Sequence, residues 1–273
     1  MIVRRHLLVG VVSLLVILFL WGPLVNAAIN SFNKDILLAH WKGATLSWYR
    51  AAVGDGLVKS GLVQTLIIAV STTAVSLILA VTGALWWRRA SARRRRVFDL
   101  LVYLRLMLPE VVFAVALFLF FSRINFPLGM LAVIIGQTVW NSAYAALIVQ
   151  ARVVTLDPAL DDAAMDLGAN PWRAFRRDTI PGLLPGILAA GLLAFTFSFD
   201  DVVTSYFLIG SQTAPLPVVL LSKIRFRITP EINAIGMMVM VLTVTMFSVG
   251  YLAASRLGAG ARQALPLPDV KKR

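Results

Sequence analysis

LVQTLIIAVSTTAVSLILAVTGALWW, Leu62 to Trp87, holds no charged side chain, and RRASARRRR, Arg88 to Arg96, follows it at once. A helix that crosses a bilayer needs about 20 predominantly apolar residues, and this run exceeds that before the arginines stop it. Soluble cores use short apolar strands or helices with one polar face, and neither pattern fits here. The stretch reads as a membrane span with a basic end on the cytoplasmic side.

The rest of the chain repeats the pattern. It has 273 residues, 59% hydrophobic and 14% charged, with a mean hydropathy of +0.82, against roughly 25% charged in soluble domains. Six spans follow: Leu7–Ile29, Leu62–Trp87, Val97–Phe121, Leu128–Gln150, Leu183–Ile209 and Ala234–Ala254. The first has a second reading, as a cleaved signal peptide with small residues near Ala27; its length and Trp21 favour a retained span. With the N-terminus inside, the inner segments hold seventeen lysines and arginines and the outer segments eight. That bias puts both termini in the cytoplasm. The Arg88–Arg96 run is then a topology anchor beside anionic lipid; no aromatics interleave with it, so it does not read as a nucleic-acid site. There is no cysteine, and the only histidines, His6 and His40, are too far apart for a metal site.

One internal segment breaks the apolar pattern. LDDAAMDLGANPWRAFRRDTIPG, Leu160 to Gly182, lies in the cytoplasmic loop between the fourth and fifth spans. Asp157-Pro158 starts a helix, with Asp as N-cap and Pro at the first helical position. Ala163, Ala164 and Leu167 share a face, and Gly168 ends that helix or admits another backbone. Asn170-Pro171 starts a second helix with Trp172 and Phe175 on its apolar edge, closed by Pro181. Such a pair cannot span. It buries its small face against its own bundle, the membrane surface or another protein, and composition alone does not choose.

The same residues resemble the EAA loop of bacterial ABC importer permeases. Asp162 takes the Glu position, and Ala163, Ala164, Gly168 and Pro181 match; Asp178 and Ile180 depart, where the pattern has Ile and Leu. The resemblance implies an all-α, six-span, type I ABC importer permease (MetI-like) fold, whose loop, about 157–181, forms coupling helices in a groove of a cytoplasmic ATPase. It implies one permease domain over 1–273, with its core at about 62–256. SFN at Ser31–Asn33, LSWYR at Leu46–Arg50, LMLPEVV at Leu106–Val112, FSFDDVVTSYFLIG at Phe197–Gly210 and ITPEINAI at Ile228–Ile235 are similar to the spermidine/putrescine permeases, most of all their second permease subunit.

Asp200-Asp201 is the sharpest candidate for substrate contact. Each carboxylate at the bilayer centre costs at least about 2.5 kcal/mol by insertion scales, so such groups face a cavity or a partner. On a continuous helix, Thr196, Ser198, Asp200, Asp201, Thr204 and Ser205 cover one arc, with Phe197 projecting into it. Carboxylates over an aromatic face suit an alkylammonium. The alternative is that both aspartates pair with loop arginines at the outer interface. Glu110 shares the third span with Arg105 and with Pro109, which frees a backbone carbonyl and can kink the helix; Glu110 belongs either to the substrate path or to the structure, and Arg105 reads as structural. Gln137 and Asn141, four apart, read as contacts between helices. KIRFRITPEINA, Lys223 to Ala234, is expected as an outer loop, either solvated or meeting a solute-binding protein.

No glycine is followed by lysine, so the chain has no phosphate-binding loop of the Walker type. The expected machine is a permease that holds no cofactor itself, with ATP and magnesium in two ATPase partners, a second permease subunit and an extracytoplasmic binding protein, all at the bacterial inner membrane. The rivals are the same permease for another small cationic or amino-acid-derived solute, an ion-gradient transporter using Asp200, Asp201 and Glu110 as a relay, and an assembly factor.

Overall fold

Long apolar runs without turn residues have to satisfy their own backbone hydrogen bonds in lipid, and the helix is the single-segment solution. A computed structural model of the chain describes residues 2–156, 170 and 175–263, with the side chains of 2–9, 177–178 and 253–263 excepted. In order come α1 (Ile2–Asn30), α2 (Ser47–Gly54), α3 (Gly56–Arg89), α4 (Ala92–Met107), α5 (Glu110–Arg123) and α6 (Met130–Val154). A π-helical turn (Phe175–Thr179) leads into α7 (Ile180–Asp200), followed by α8 (Val203–Leu208), α9 (Leu216–Phe226) and α10 (Pro230–Gln263). Among the described residues the only strand-like pairing is one antiparallel bridge, Asn33 with Ala44. Among the described residues, five segments are long and apolar enough to cross a membrane: Gly10–Asn30, Gly56–Arg89, Met130–Val154, Ile180–Asp200 and Pro230–Leu252. The bent pair α4–α5 makes a sixth.

The chain divides into two compact units. The first comprises Met1–Lys59 and Val219–Val244. Its loop after α1 is built by side chains: Asn33 donates to His40 O and accepts from the amides of Asp35 and Lys42. Trp48 donates to Asn33 O at 2.8 Å, and the Ser31 and Tyr49 hydroxyls meet at 2.7 Å. The SFN and LSWYR segments are therefore two sides of one packed loop. Asp35 accepts from Lys42 Nζ and from the amides of His40 and Ala39. Those bonds, Lys42's foremost, hold its carboxyl below the usual range.

The second unit comprises Ser60–Val218 and Thr245–Arg273. Its core joins α6 to α7 through small residues, which let helix backbones approach closely in lipid: Ala145, Ala146, Val149 and Val153 pack with Leu183 and Ala190. A second cluster, Ile68, Phe121, Ala132, Val133, Leu208 and Ile209, gathers α3, α5, α6 and α8. At Gly136 of α6 a β-carbon would stand 2.7 Å from Leu208 Cδ1 and 2.8 Å from Thr204 Cγ2, so the close seat of α8 depends on that glycine. Gly210, at φ +63°, turns the chain after α8 in the left-handed region where glycine is favoured. Arg95 reaches back across the α3–α4 turn to Trp87 O and Arg88 O, at 2.9 and 2.5 Å, and satisfies the carbonyls that end α3.

Three expectations change, and the kink expected at Pro109 is large: α4 and α5 meet at 101° across Leu108-Pro109. Proline has no amide hydrogen and disfavours a helical residue before it, and Leu108 is accordingly extended at ψ 127°. The fifth span stops at Asp200, and residues Val203–Leu208 form a separate helix. Pro181 does not close a loop helix; it lies in the first turn of α7, where its missing amide is harmless. Lys223 to Phe226 belong to α9 and not to a loop. Asp162, Ala163, Ala164 and Gly168, with the expected bend between two loop helices, lie outside the described residues.

Candidate functional site

Where α7 breaks, a cavity of about 520 Å³ opens in the second unit. Four elements line it. The first residue of α5 supplies Glu110; one face of α6, at helical spacing, supplies Gln137, Trp140, Asn141 and Tyr144; α7 supplies Thr196, Phe197 and Asp200; the break and the start of α8 supply Asp201 to Thr204. The bend at Pro109 places Glu110 at the start of a helix, an electrostatically favourable end for a carboxylate.

The break itself explains Asp201. With the backbone extended at ψ 113°, its carboxylate accepts the amides of Thr204 and Ser205 at 3.0 and 3.2 Å, the free donors at the start of α8. This is the capping role that Asp performs at helix N-termini. Gln137 secures it from the other side, donating to Asp201 Oδ2 at 2.5 Å and to Ser205 Oγ at 3.2 Å. The Gln137 carbonyl oxygen accepts from Ser198 and, at 3.5 Å, from Thr72 of α3. One amide, only 2% exposed, thus ties α3, α6, α7 and α8 together. Glu110 lines the same cavity from the start of α5, so its carboxylate adds to the negative charge at the break.

Asp200 differs. It is exposed in the cavity, and among the described residues nothing hydrogen-bonds its carboxylate. An aromatic wall stands with it in the lining: Trp140 and Tyr144 centroids are 5.4 Å apart, and Tyr144 meets Phe197 edge-on at 5.1 Å. Asn141 Oδ1 is buried, and among the described residues nothing donates to it. Negative charge, aromatic faces and a free carbonyl in one space are what a cation with an alkyl body requires.

Asp200, Asp201, Phe197 and Glu110 therefore share one cavity, although the continuous-helix geometry that singled out the aspartates does not exist. Gln137 and Asn141, read as contacts between helices, line the same space, and Gln137 also joins helices. Thr196, on the polar arc, lines it too, whereas Trp140 and Tyr144 are absent from the sequence reading. The signal for both is present, since 137, 140, 141 and 144 fall on one face of a 3.6-residue repeat. Arg105, at the end of α4, is buried with its guanidinium 3.7 Å from the Phe113 centroid and 4.3 Å from that of Trp140. Lys223 lies in the first unit, bridging Asp55 at 2.6 Å and Glu231 at 2.9 Å.

A bundle of membrane-crossing helices, one broken and one sharply bent around a polar cavity, defines the class as a membrane permease. Residues 73–262 match the model described as binding-protein-dependent transport system inner membrane component, and the chain belongs to that family. It is 31% identical over 252 residues to the putrescine transport system permease protein PotI of Escherichia coli (strain K12), covering 89% of this chain and 90% of that one. It is 28% identical over 237 residues to the spermidine/putrescine transport system permease protein PotC of the same strain, covering 86% and 89%. The fold is similar to a bacterial ABC transporter involved in import of the acidic polysaccharide alginate, with TM-score 0.71, 15% identity, and 93% and 97% of the two chains covered. It is also similar to the MetNI methionine ABC transporter in an inward-facing conformation, with TM-score 0.59, 17% identity, and 75% and 96% covered.

Proposed function

We propose that the chain is one permease subunit of an ATP-driven importer of polyamines. The observation that carries this reading is the cavity, in which Glu110, Asp200 and Asp201 face Trp140, Tyr144 and Phe197. An alkylammonium entering it exchanges water for charge-assisted bonds to carboxylates, while its methylene chain lies along the aromatic wall. Asp200 is the free carboxylate and meets the ammonium directly. Asp201 is occupied by its capping bonds and, with Glu110, supplies negative charge that a second ammonium group meets. Asn141 Oδ1 accepts from a further N–H. Binding on a few such groups is strong enough to admit the cation and weak enough to release it.

The chain works with a second permease subunit, two ATPase subunits that bind ATP and magnesium, and an extracytoplasmic binding protein. Both termini lie in the cytoplasm, a placement supported by the lysine and arginine bias. The loop carrying Asp162, Ala163, Ala164 and Gly168, which ends at Pro181, docks on the ATPase. Closure of the ATPases moves that loop and turns the cavity from the outer to the inner face.

Uptake of radiolabelled putrescine into proteoliposomes tests this reading. The complete complex is expected to require ATP, and Asp200→Asn to cut uptake per assembled complex about tenfold, the worth of one charge-assisted contact. Uptake by this chain alone, driven by an ion gradient, would establish the relay reading instead. Normal specific uptake by Asp200→Asn would remove the cavity from the substrate path.

A further inference from the structure

Arg105 lies in the last turn of α4, just before the 101° bend. It is 8% exposed, and among the described residues nothing accepts a hydrogen bond from its Nε, Nη1 or Nη2. A guanidinium does not shed its charge, and a buried cation without an acceptor is costly. Two aromatic faces, Phe113 and Trp140, offset part of that cost. Burial outweighs the attraction of the Glu110 carboxylate, so the guanidinium remains a costly charge in this wall. Trp140, Glu110 and Tyr144 all line the cavity, whereas Arg105 does not. The guanidinium therefore stands behind the wall of the site, touching one of its rings and attracted by one of its carboxylates.

We propose that Arg105 is a fixed cation that limits how much positive charge the cavity accepts, so that a diammonium ligand is preferred over a triammonium one. This rests on the polyamine reading above. Three carboxylates line the cavity, and the guanidinium offsets one, leaving a formal balance of two negative charges. A diamine in its doubly charged form neutralises that balance. A third ammonium is in excess in a medium where one unbalanced charge weighs far more than in water. Arg105 also draws on the face of Trp140, which weakens the cation–π attraction left for the ligand.

The test measures KM for putrescine and for spermidine, which carry two and three ammonium groups, with the complete complex in proteoliposomes. The wild-type complex is expected to favour putrescine. Arg105→Gln should lower both KM values, that for spermidine about tenfold further, because removing one nearby charge acts in proportion to ligand charge. Arg105→Lys retains the charge without the planar stack and should keep the wild-type ratio. Asp200→Asn should move the ratio the opposite way, and the double variant Arg105→Gln/Asp200→Asn should restore it. An Arg105→Gln ratio equal to wild type overturns the proposal, as does an Arg105→Lys complex that shifts like Arg105→Gln. If neither Arg105 variant assembles, Asp200→Asn decides, and an unmoved ratio there overturns it. A wild-type complex that carries neither amine defeats the polyamine reading, and the charge limit falls with it. Uptake of both amines with an unmoved ratio defeats the charge limit alone.

Discussion

Gly136 lies where α6 meets α8, and a β-carbon added there would stand within 3.0 Å of three neighbouring side chains. The atoms it would meet are ends of side chains, Leu208 Cδ1, Thr204 Cγ2 and Leu117 Cδ2, so alanine asks for small rotamer shifts. Valine asks α8 to move. Gly136→Val is expected to destabilise the complex by about 1–3 kcal/mol, the usual cost of overpacking. It should also lower polyamine uptake, because Thr204 carries an amide that holds Asp201. Thermal melting of the purified complex, with Gly136→Ala as the milder control, checks this; equal melting of Gly136→Val and wild type would show that the contact yields freely. At this scale the sequence was informative about chemistry and silent about partnership. Two aspartates in an apolar run announce a site, but nothing in their order says that one is engaged and the other free. The distinction comes from the helix break between them.

The elements show why that break was hidden. Hydropathy registers how apolar a run is and carries no information on whether the backbone continues straight. At Leu108-Pro109 a proline marks the change of direction. At Asp201 there is no proline or glycine, only an Asp three residues before Thr204, a capping spacing that is common outside helix starts. Spans are therefore legible from composition, while bends inside them depend on hydrogen bonds such as those of Gln137. In the first unit, Lys223 joins α9 to the residue preceding α3 and to the first turn of α10 through Asp55 and Glu231. Burial alone would lower Lys223; its bonds to the two carboxylates outweigh this and hold its ammonium above the ordinary value. Lys223 in turn holds the Asp55 carboxyl below its ordinary 3.8. A carboxyl depressed in the folded state adds stability that is complete above the unfolded value and disappears as pH falls through the folded one. Asp55→Asn is expected to cost about 0.5 kcal/mol at pH 7, the scale of an accessible ion pair. The difference from wild type should shrink as pH falls below 3.8 and vanish once the carboxyl is protonated in the folded state. Hydrogen exchange at the start of α10, followed against pH, reads it; a gap that persists in acid would assign the effect to packing.

For the whole molecule, the orientation proposed from charge alone has a direct check. Ser91 and Ser211 are both exposed, and Ser91 makes no capping bond through its side chain. The chain has no cysteine of its own. In intact cells a membrane-impermeant thiol reagent is expected to label the Ser211→Cys variant and to miss Ser91→Cys; the reverse pattern would invert the chain and move the loop before Pro181 away from any cytoplasmic ATPase. The two ends of the packing range also differ in a way that bears on substitution. In α1 every side chain from Gly10 to Val25 is exposed, so one apolar residue there serves as well as another. In α6, Ala132, Gly136, Ala143, Ala145 and Ala146 are buried, and each is matched in size to a neighbouring helix. Exchange of one apolar residue for another is therefore expected to be tolerated along α1 and costly along α6, so the chain's freedom to vary is uneven along its length.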